Sequence, residues 1–115
     1  MNITFARHMK EQQQTDSFRQ RVFHILAAIP PGRLMTYGLV ATLAGSPRAA
    51  RQVGGILKRL PEGSLLPWHR VVNRQGRISL QGEDFKRQQS ALRAEGVLID
   101  PSGCIELSNY LWRGE

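Results

Sequence analysis

Thr36-Tyr37-Gly38-Leu39-Val40-Ala41-Thr42-Leu43-Ala44-Gly45-Ser46-Pro47-Arg48-Ala49-Ala50-Arg51-Gln52-Val53-Gly54-Gly55 is the stretch that decides the fold. It reads as two short helices and the turn between them. Thr36 is suited to cap the first, and Leu39, Val40 and Leu43 form its predicted buried side. Gly45 ends that helix as the residue after its C-cap. Ser46 is expected to cap the second helix, with Pro47 at its first position, where a missing N–H costs nothing. The second helix is predicted to reach Arg59 and to bury Val53, Ile56 and Leu57. Two helices joined by so short a turn make a helix-turn-helix. Gly54 and Gly55 fall inside a helix, where each costs up to ~1 kcal/mol relative to Ala. Either tight packing on a neighbouring helix or close approach of a second molecule would offset that cost.

Working outward, Leu65-Leu66-Pro67-Trp68-His69-Arg70-Val71-Val72-Asn73 follows a Pro-Glu-Gly loop. Pro67 fixes its own φ and biases Leu66 to extended geometry, so Trp68 is expected at the mouth of a strand, not in a helix. Asn73-Arg74-Gln75-Gly76 reads as a turn, and Arg77-Ile78-Ser79 as a strand returning from it. Glu83 to Glu95 reads as a helix with Phe85, Gln89 and Leu92 turned inward, closed by Gly96. Val97-Leu98-Ile99 and Cys104-Ile105-Glu106-Leu107 flank a turn at 100–103 as a second hairpin. Tyr110 and Trp112 read as packing aromatics. Upstream, Asp16 and Ser17 can cap a helix whose apolar face is Phe18, Val22, Ile25, Leu26 and Ile29, stopped by Pro30-Pro31-Gly32. His24 is expected at its solvated edge. Residues 1–15 are predicted to be a poorly ordered lead-in, and residues 16–115 a single domain.

Sixteen basic against nine acidic residues give the 115-residue chain a formal net charge of +7. A small domain so basic points to a polyanion, usually nucleic acid. No apolar run approaches the ~20 residues that span a bilayer, and no signal-peptide pattern opens the chain, so no membrane partner is expected. The one cysteine, Cys104, excludes an internal disulfide, which fits a reducing cytoplasm. Cys104 lies among alternating apolar residues and reads as a small buried hydrophobe, not a nucleophile. No cluster has the spacing of metal ligands, and neither metal nor cofactor is expected.

Two of these segments carry a family resemblance. Pro67-Trp68-His69-Arg70-Val71 is similar to the Pro-Cys-His-Arg-Val active-site segment of the O6-alkylguanine-DNA alkyltransferases, with Trp68 where that family has its alkyl-accepting Cys. Gly45 to Gly55 resembles the family's recognition helix, with its Gly-x-Pro-x-Ala-Ala-Arg-x-Val-Gly-Gly pattern. The resemblance covers roughly residues 16–98. It implies an α/β, mostly helical fold: one winged-helix-like domain with a helix-turn-helix and small β-hairpins, like the family's C-terminal domain. It also implies that the recognition helix lies in the minor groove, where Arg51 is a finger entering the base stack. Arg48, Ala50, Gln52, Gly54 and Gly55 border the DNA beside it. Tyr37 braces the phosphate next to the extruded nucleotide. His69 and Glu95 match the pair that draws the proton from the transferase thiol. Indole nitrogen has no free lone pair, so Trp68 cannot replace that thiol.

Trp substitution of this kind marks the alkyltransferase-like proteins. The resemblance therefore implies a sensor that binds O6-alkylguanine in duplex DNA, flips the base into a pocket and flags it for nucleotide excision repair. That pocket is expected to comprise Trp68, Tyr37, His69, Gln81, Gly82 and Glu95. Double-stranded DNA and excision-repair proteins are the implied partners of a monomer. Two departures stand out. Leu60 replaces an Asn that commonly follows the recognition helix. Gln81 falls in the register of a Tyr that donates to the guanine oxygen, so a roomier pocket is expected. Two other readings stay open: a regulator reading sequence through its helix-turn-helix, and a repair enzyme with residual transfer or hydrolytic activity. Ala49, Ala50, Gly54 and Gly55 are poor readers of base edges, which disfavours the first.

Overall fold

The computed structural model describes residues 17–115. The predicted lead-in, with the proposed cap at Asp16, lies outside the described residues. Ser17 is already helical and so does not cap. Among the described residues, helix α1 includes 17–28, and its expected face is the one that packs: Val22, Leu26 and Ile29 are buried, with Phe18 and Ile25 against them. Strand β1 (Met35–Thr36) leads directly into α2 (Tyr37–Leu43). Helix α3 (Ala50–Lys58) packs on α2 to complete the helix-turn-helix. Strand β2 (Val71–Val72) follows a single 3-10 turn, Trp68–Arg70, and α4 (Gly82–Ala94) is the last helix. A second 3-10 turn, Leu107–Asn109, precedes the C-terminal tail.

The two short strands pair in parallel, with Met35 beside Val71 and Thr36 beside Val72. Successive side chains of a strand point to opposite faces. Met35 and Val71 accordingly enter one apolar cluster, with α1, α2 and α3, while Leu34 and Val72 enter a second, with α4 and the C-terminal turns. This short sheet is thus a partition between two cores, and the segments at its ends are fixed from both sides. The tail extends the arrangement: Leu34 N–H donates to Tyr110 O at 2.9 Å and Trp112 N–H to Leu34 O at 2.8 Å. Trp112 packs on the first cluster and Tyr110 on the second, as expected of packing aromatics.

Thr36 caps α2, its Oγ1 accepting from Leu39 N–H at 3.0 Å. Gly45, at φ +92°, donates to Thr42 O, and Ser46 N–H donates to Ala41 O at 2.9 Å. That pair of bonds closes the helix in a Schellman motif. Ser46 is thereby committed to the end of α2, and it does not cap α3 as expected. The Ser46–Ala49 segment is a turn, closed by Ala49 N–H on Ser46 O, and α3 starts at Ala50 with no side-chain cap. The fixed φ of Pro47 suits the second position of such a turn as well as a helix start. Leu43 is exposed and Ala41 and Ala44 are buried instead, which rotates the buried face of α2 from the prediction.

The predicted hairpins shrink to turns. Asn73–Gly76 forms as expected, with Asn73 Oδ1 accepting from the Gln75 and Arg77 N–H groups. Beyond it Arg77 makes a single antiparallel bridge to Cys104, not a ladder with β2. Segments 97–99 and 104–107 likewise form no strands; Asp100 N–H meets Cys104 O at 3.1 Å and the pairing ends there.

Candidate nucleic-acid interface

A cavity of about 900 Å³ lies between α3 and the start of α4. Tyr37, Arg51, Gly54, Leu60, Trp68 and Arg87 are among the residues that border it. Ala50 and Gly55 border it too. Six of the twelve residues expected to serve DNA or a lesion therefore meet at one opening. Arg48 lies in the turn before α3, and both it and Gln52 are exposed but outside the cavity wall. Gln81 and Gly82 are exposed at the start of α4 and also stand outside it, as do His69 and Glu95. The cavity wall that holds Trp68 does not include these four. Leu60, the departure from the transferase pattern, does border the cavity.

Trp68 reaches the wall by a different route from the one expected. It opens a 3-10 turn rather than a strand mouth, with Trp68 N–H on Leu66 O at 2.8 Å and Arg70 N–H on Pro67 O at 3.1 Å. Pro67, at φ −80° and ψ 63°, folds the chain into this turn. Gln88 holds the turn from behind. Its Nε2 donates to His69 O at 3.0 Å and Val71 O at 2.9 Å, and the residue is only 1% exposed. Gln88 Oε1 finds no partner among the described residues. A buried orphan acceptor is costly, and here it accompanies two bonds that satisfy main-chain carbonyls. Gln89, predicted to turn inward, is only partly buried. Gln88 lies four residues before the buried Leu92 and so shares its face, but its polarity concealed that.

His69 projects to the other side of the turn, towards a smaller cavity bordered by Ala27, Leu65 and Arg70. Its Nε2 lies 2.7 Å from Glu95 Oε2. Arg70 meets the same carboxylate with Nε at 3.0 Å and Nη2 at 2.8 Å, and donates through Nη1 to Ile29 O. Gly32 N–H adds a bond to Glu95 Oε1 at 2.8 Å. Burial alone would raise the Glu95 carboxyl, but the bonds from Arg70, Gly32 and His69 outweigh it and hold it at about 2. An ionised carboxylate only accepts, so the network assigns the hydrogen to His69 Nε2. Glu95 is the C-cap of α4, a poor place for a negative charge near a helix dipole. Arg70 supplies the compensation. Gly96, at φ +89°, lets the chain turn away while Val97 N–H closes on Leu92 O. The His–Glu pair is thus a tie between the turn that follows α1, the Trp turn and α4, and its proton is directed inward.

The surface of α3 decides between the two readings of its glycines. A Cβ at Gly54 would meet Tyr37 Cε1 at 4.0 Å, and one at Gly55 would meet the Arg59 guanidinium at 3.9 Å. Both are ordinary contacts. Packing within the protein therefore does not call for glycine at either place. Tyr37, the first residue of α2, is half-buried, with its hydroxyl 3.4 Å from Ser79 Oγ. Arg51 is exposed and makes no ion pair among the described residues.

Cys104 is half-exposed, not buried as expected, and its Sγ accepts from Arg77 Nε at 3.1 Å and Ser102 Oγ at 3.3 Å. It borders neither cavity.

Residues 17–97 match the family described as 6-O-methylguanine DNA methyltransferase, DNA binding domain. A DNA base-flipping protein of Escherichia coli K12 is 65% identical over 103 residues, covering 90% of this chain and 80% of that one. The crystal structure of Schizosaccharomyces pombe Atl1, in complex with damaged DNA containing O6-carboxymethylguanine, superposes with a TM-score of 0.78 at 37% identity. That match covers 84% of this chain and 95% of Atl1. The Mycobacterium tuberculosis O6-methylguanine methyltransferase gives a TM-score of 0.62 at 36% identity, over 68% of this chain and 47% of the enzyme.

Proposed function

The chain belongs to the family of the 6-O-methylguanine DNA methyltransferase DNA-binding domain, and on that premise we propose that it is a non-enzymatic sensor of O6-alkylguanine in duplex DNA. One observation carries the reading: the residue at the family's alkyl-acceptor position, Trp68, stands in the wall of the cavity that the recognition helix also borders. An indole face packs well against an alkyl group or a base edge, and it has no lone pair to accept the alkyl carbon. The neighbouring His–Glu pair is closed upon Arg70, with no thiol to serve.

In this reading α3 is the surface laid against DNA. Gly54 and Gly55 let its backbone approach the sugar-phosphate rails, and Arg48, Arg51 and Lys58 neutralise phosphates. Arg51 enters the space left by the extruded base. Extrusion costs a few kcal/mol, and a planar guanidinium that stacks and hydrogen-bonds in the gap offsets part of it. Tyr37, at the mouth of the same cavity, braces the phosphate beside the extruded nucleotide. Similarity to a base-flipping protein and to a protein crystallised on damaged DNA supports lesion binding. A lesion that is held and not repaired must be handed on. Nucleotide excision repair is the proposed recipient, with the protein acting as a monomer in a reducing cytoplasm.

A labelled duplex with one O6-methylguanine, competed by undamaged duplexes of varied sequence, tests the proposal. A sensor resists all undamaged competitors alike. A sequence-reading regulator would be displaced by one of them and not the others, and that result would overturn the reading. The hand-over is tested by measuring excision of the lesion in an extract with and without the protein. No gain in excision would remove that part.

A further inference from the structure

We propose that Arg87 makes the cavity selective for O6-adducts that carry a negative charge, of the carboxyalkyl class. The inference rests on the reading of the cavity as a lesion site. Arg87 Cζ lies 5.8 Å from the centroid of the Trp68 ring, and both residues border the cavity. A guanidinium at that distance is attracted by the negative face of an indole. Arg87 therefore stands at the wall that the alkyl group is proposed to meet.

What else holds Arg87 is weak. Its Nη1 lies 3.6 Å from Asp84 Oδ1, one turn earlier in α4, with the two side chains 52% and 63% exposed. An open ion pair of this kind holds its partners only loosely. The aromatic ring positions the cation without consuming its donors. The remaining charges at the cavity are Arg51 and Lys58 on α3, and Glu62 and Asp84. The two α3 cations belong to the DNA-facing helix, which leaves Arg87 as the cation beside Trp68.

The chemistry then separates adducts by charge. A propyl group on the guanine oxygen packs on the indole, and the guanidinium gains nothing from it. A carboxymethyl group is of similar size and ends in a carboxylate. It can take two parallel N–H bonds from Arg87, drawing it from an exposed partner at little cost. The repulsion between a carboxylate and DNA phosphates makes such an adduct the harder one to bind without a local cation.

The test measures wild type, Arg87→Gln and Arg87→Lys with three duplexes: O6-carboxymethylguanine, O6-propylguanine and guanine. The readout is the ratio of the two adduct affinities, whatever happens to each affinity alone. Wild type is expected to favour carboxymethyl by about 5-fold or more, as a charged hydrogen-bond pair with partial exposure allows. Arg87→Gln should bring the ratio to one or below, and Arg87→Lys should restore part of it, having the charge without the fork. A wild-type ratio of one, or a ratio that survives Arg87→Gln, overturns the proposal while leaving lesion binding intact. Wild-type affinity for both adducts no better than for guanine would sink the lesion reading and this inference with it.

Discussion

Glu95→Gln isolates the charge of the carboxylate at the centre of the tie between the turn after α1, the Trp turn and α4. The substitution keeps the shape of the side chain. It removes the negative charge that Arg70 and His69 address at 2.8 and 2.7 Å. The folded protein holds Glu95 at about 2, against an ordinary value of 4.5. Each factor of ten in proton affinity is worth about 1.4 kcal/mol, so the charged form is favoured by at most about 3–4 kcal/mol. Its side chain is only 16% exposed, so solvent screening removes little of that. Because the folded value lies below the unfolded one, the contribution is complete above about pH 4.5 and is lost as pH falls towards 2. Urea denaturation followed by circular dichroism is the assay. At pH 7, Glu95→Gln should be less stable by about 2–3 kcal/mol, with the gap narrowing below pH 4.5 and reduced to under about 1 kcal/mol at pH 2.5. A loss under about 0.5 kcal/mol at pH 7, or a gap that stays constant to pH 2.5, would refute the assignment. Above pH 5.5 the folded variant should still prefer a lesion duplex over an undamaged one. If preference vanished in a fully folded variant, Glu95 would have a direct part in the pocket.

The remaining predictions concern the interface. Gly54→Ala and Gly55→Ala should each raise stability by up to about 1 kcal/mol, because the added methyl meets only ordinary contacts, yet both should weaken DNA binding. A thermal melt and a fluorescence titration read the two effects, and unchanged DNA affinity would mean that α3 does not approach the duplex. Arg51→Ala should lower lesion affinity by about 10-fold or more, since extrusion then lacks its filler. A 2-aminopurine placed opposite the lesion should report a smaller fluorescence rise; an equal rise would place the filler elsewhere. Gln88→Met should remain folded, free of its orphan acceptor, while Trp68 is held less firmly. In a Trp112→Phe background, faster acrylamide quenching of Trp68 is the expected sign, and quenching equal to the parent's would remove Gln88 from that role.

The sequence made the helix-turn-helix legible because its punctuation is local. Thr36 and Gly45 act within one turn of α2, and Gly96 within one turn of α4. The start of α3 was less legible, since Ser46-Pro47 suits a turn as well as a cap and the closing bonds of α2 decide between them. Pro67 points to an extended approach to Trp68, but main-chain bonds from Arg70 to Pro67 and from Val71 to Trp68 close a 3-10 turn there. The half of the site that borders the cavity could be read from the recognition-helix pattern and the Trp68 segment. The rest depends on contacts across 17 to 25 residues, such as Arg70 to Glu95 and Gln88 to Val71, which no local pattern announces. Arg87 was concealed in a solvated helix face, where a charged residue is the ordinary occupant.

The most direct measurement compares binding to a short duplex bearing one O6-methylguanine with binding to the same duplex bearing guanine, at moderate salt. Both partners are then recovered and analysed by mass. A sensor that transfers nothing binds the lesion duplex more tightly, keeps its own mass unchanged and leaves the methyl group on the DNA. A methylated protein, a demethylated or cleaved duplex, or equal binding to both duplexes would contradict the sensor reading.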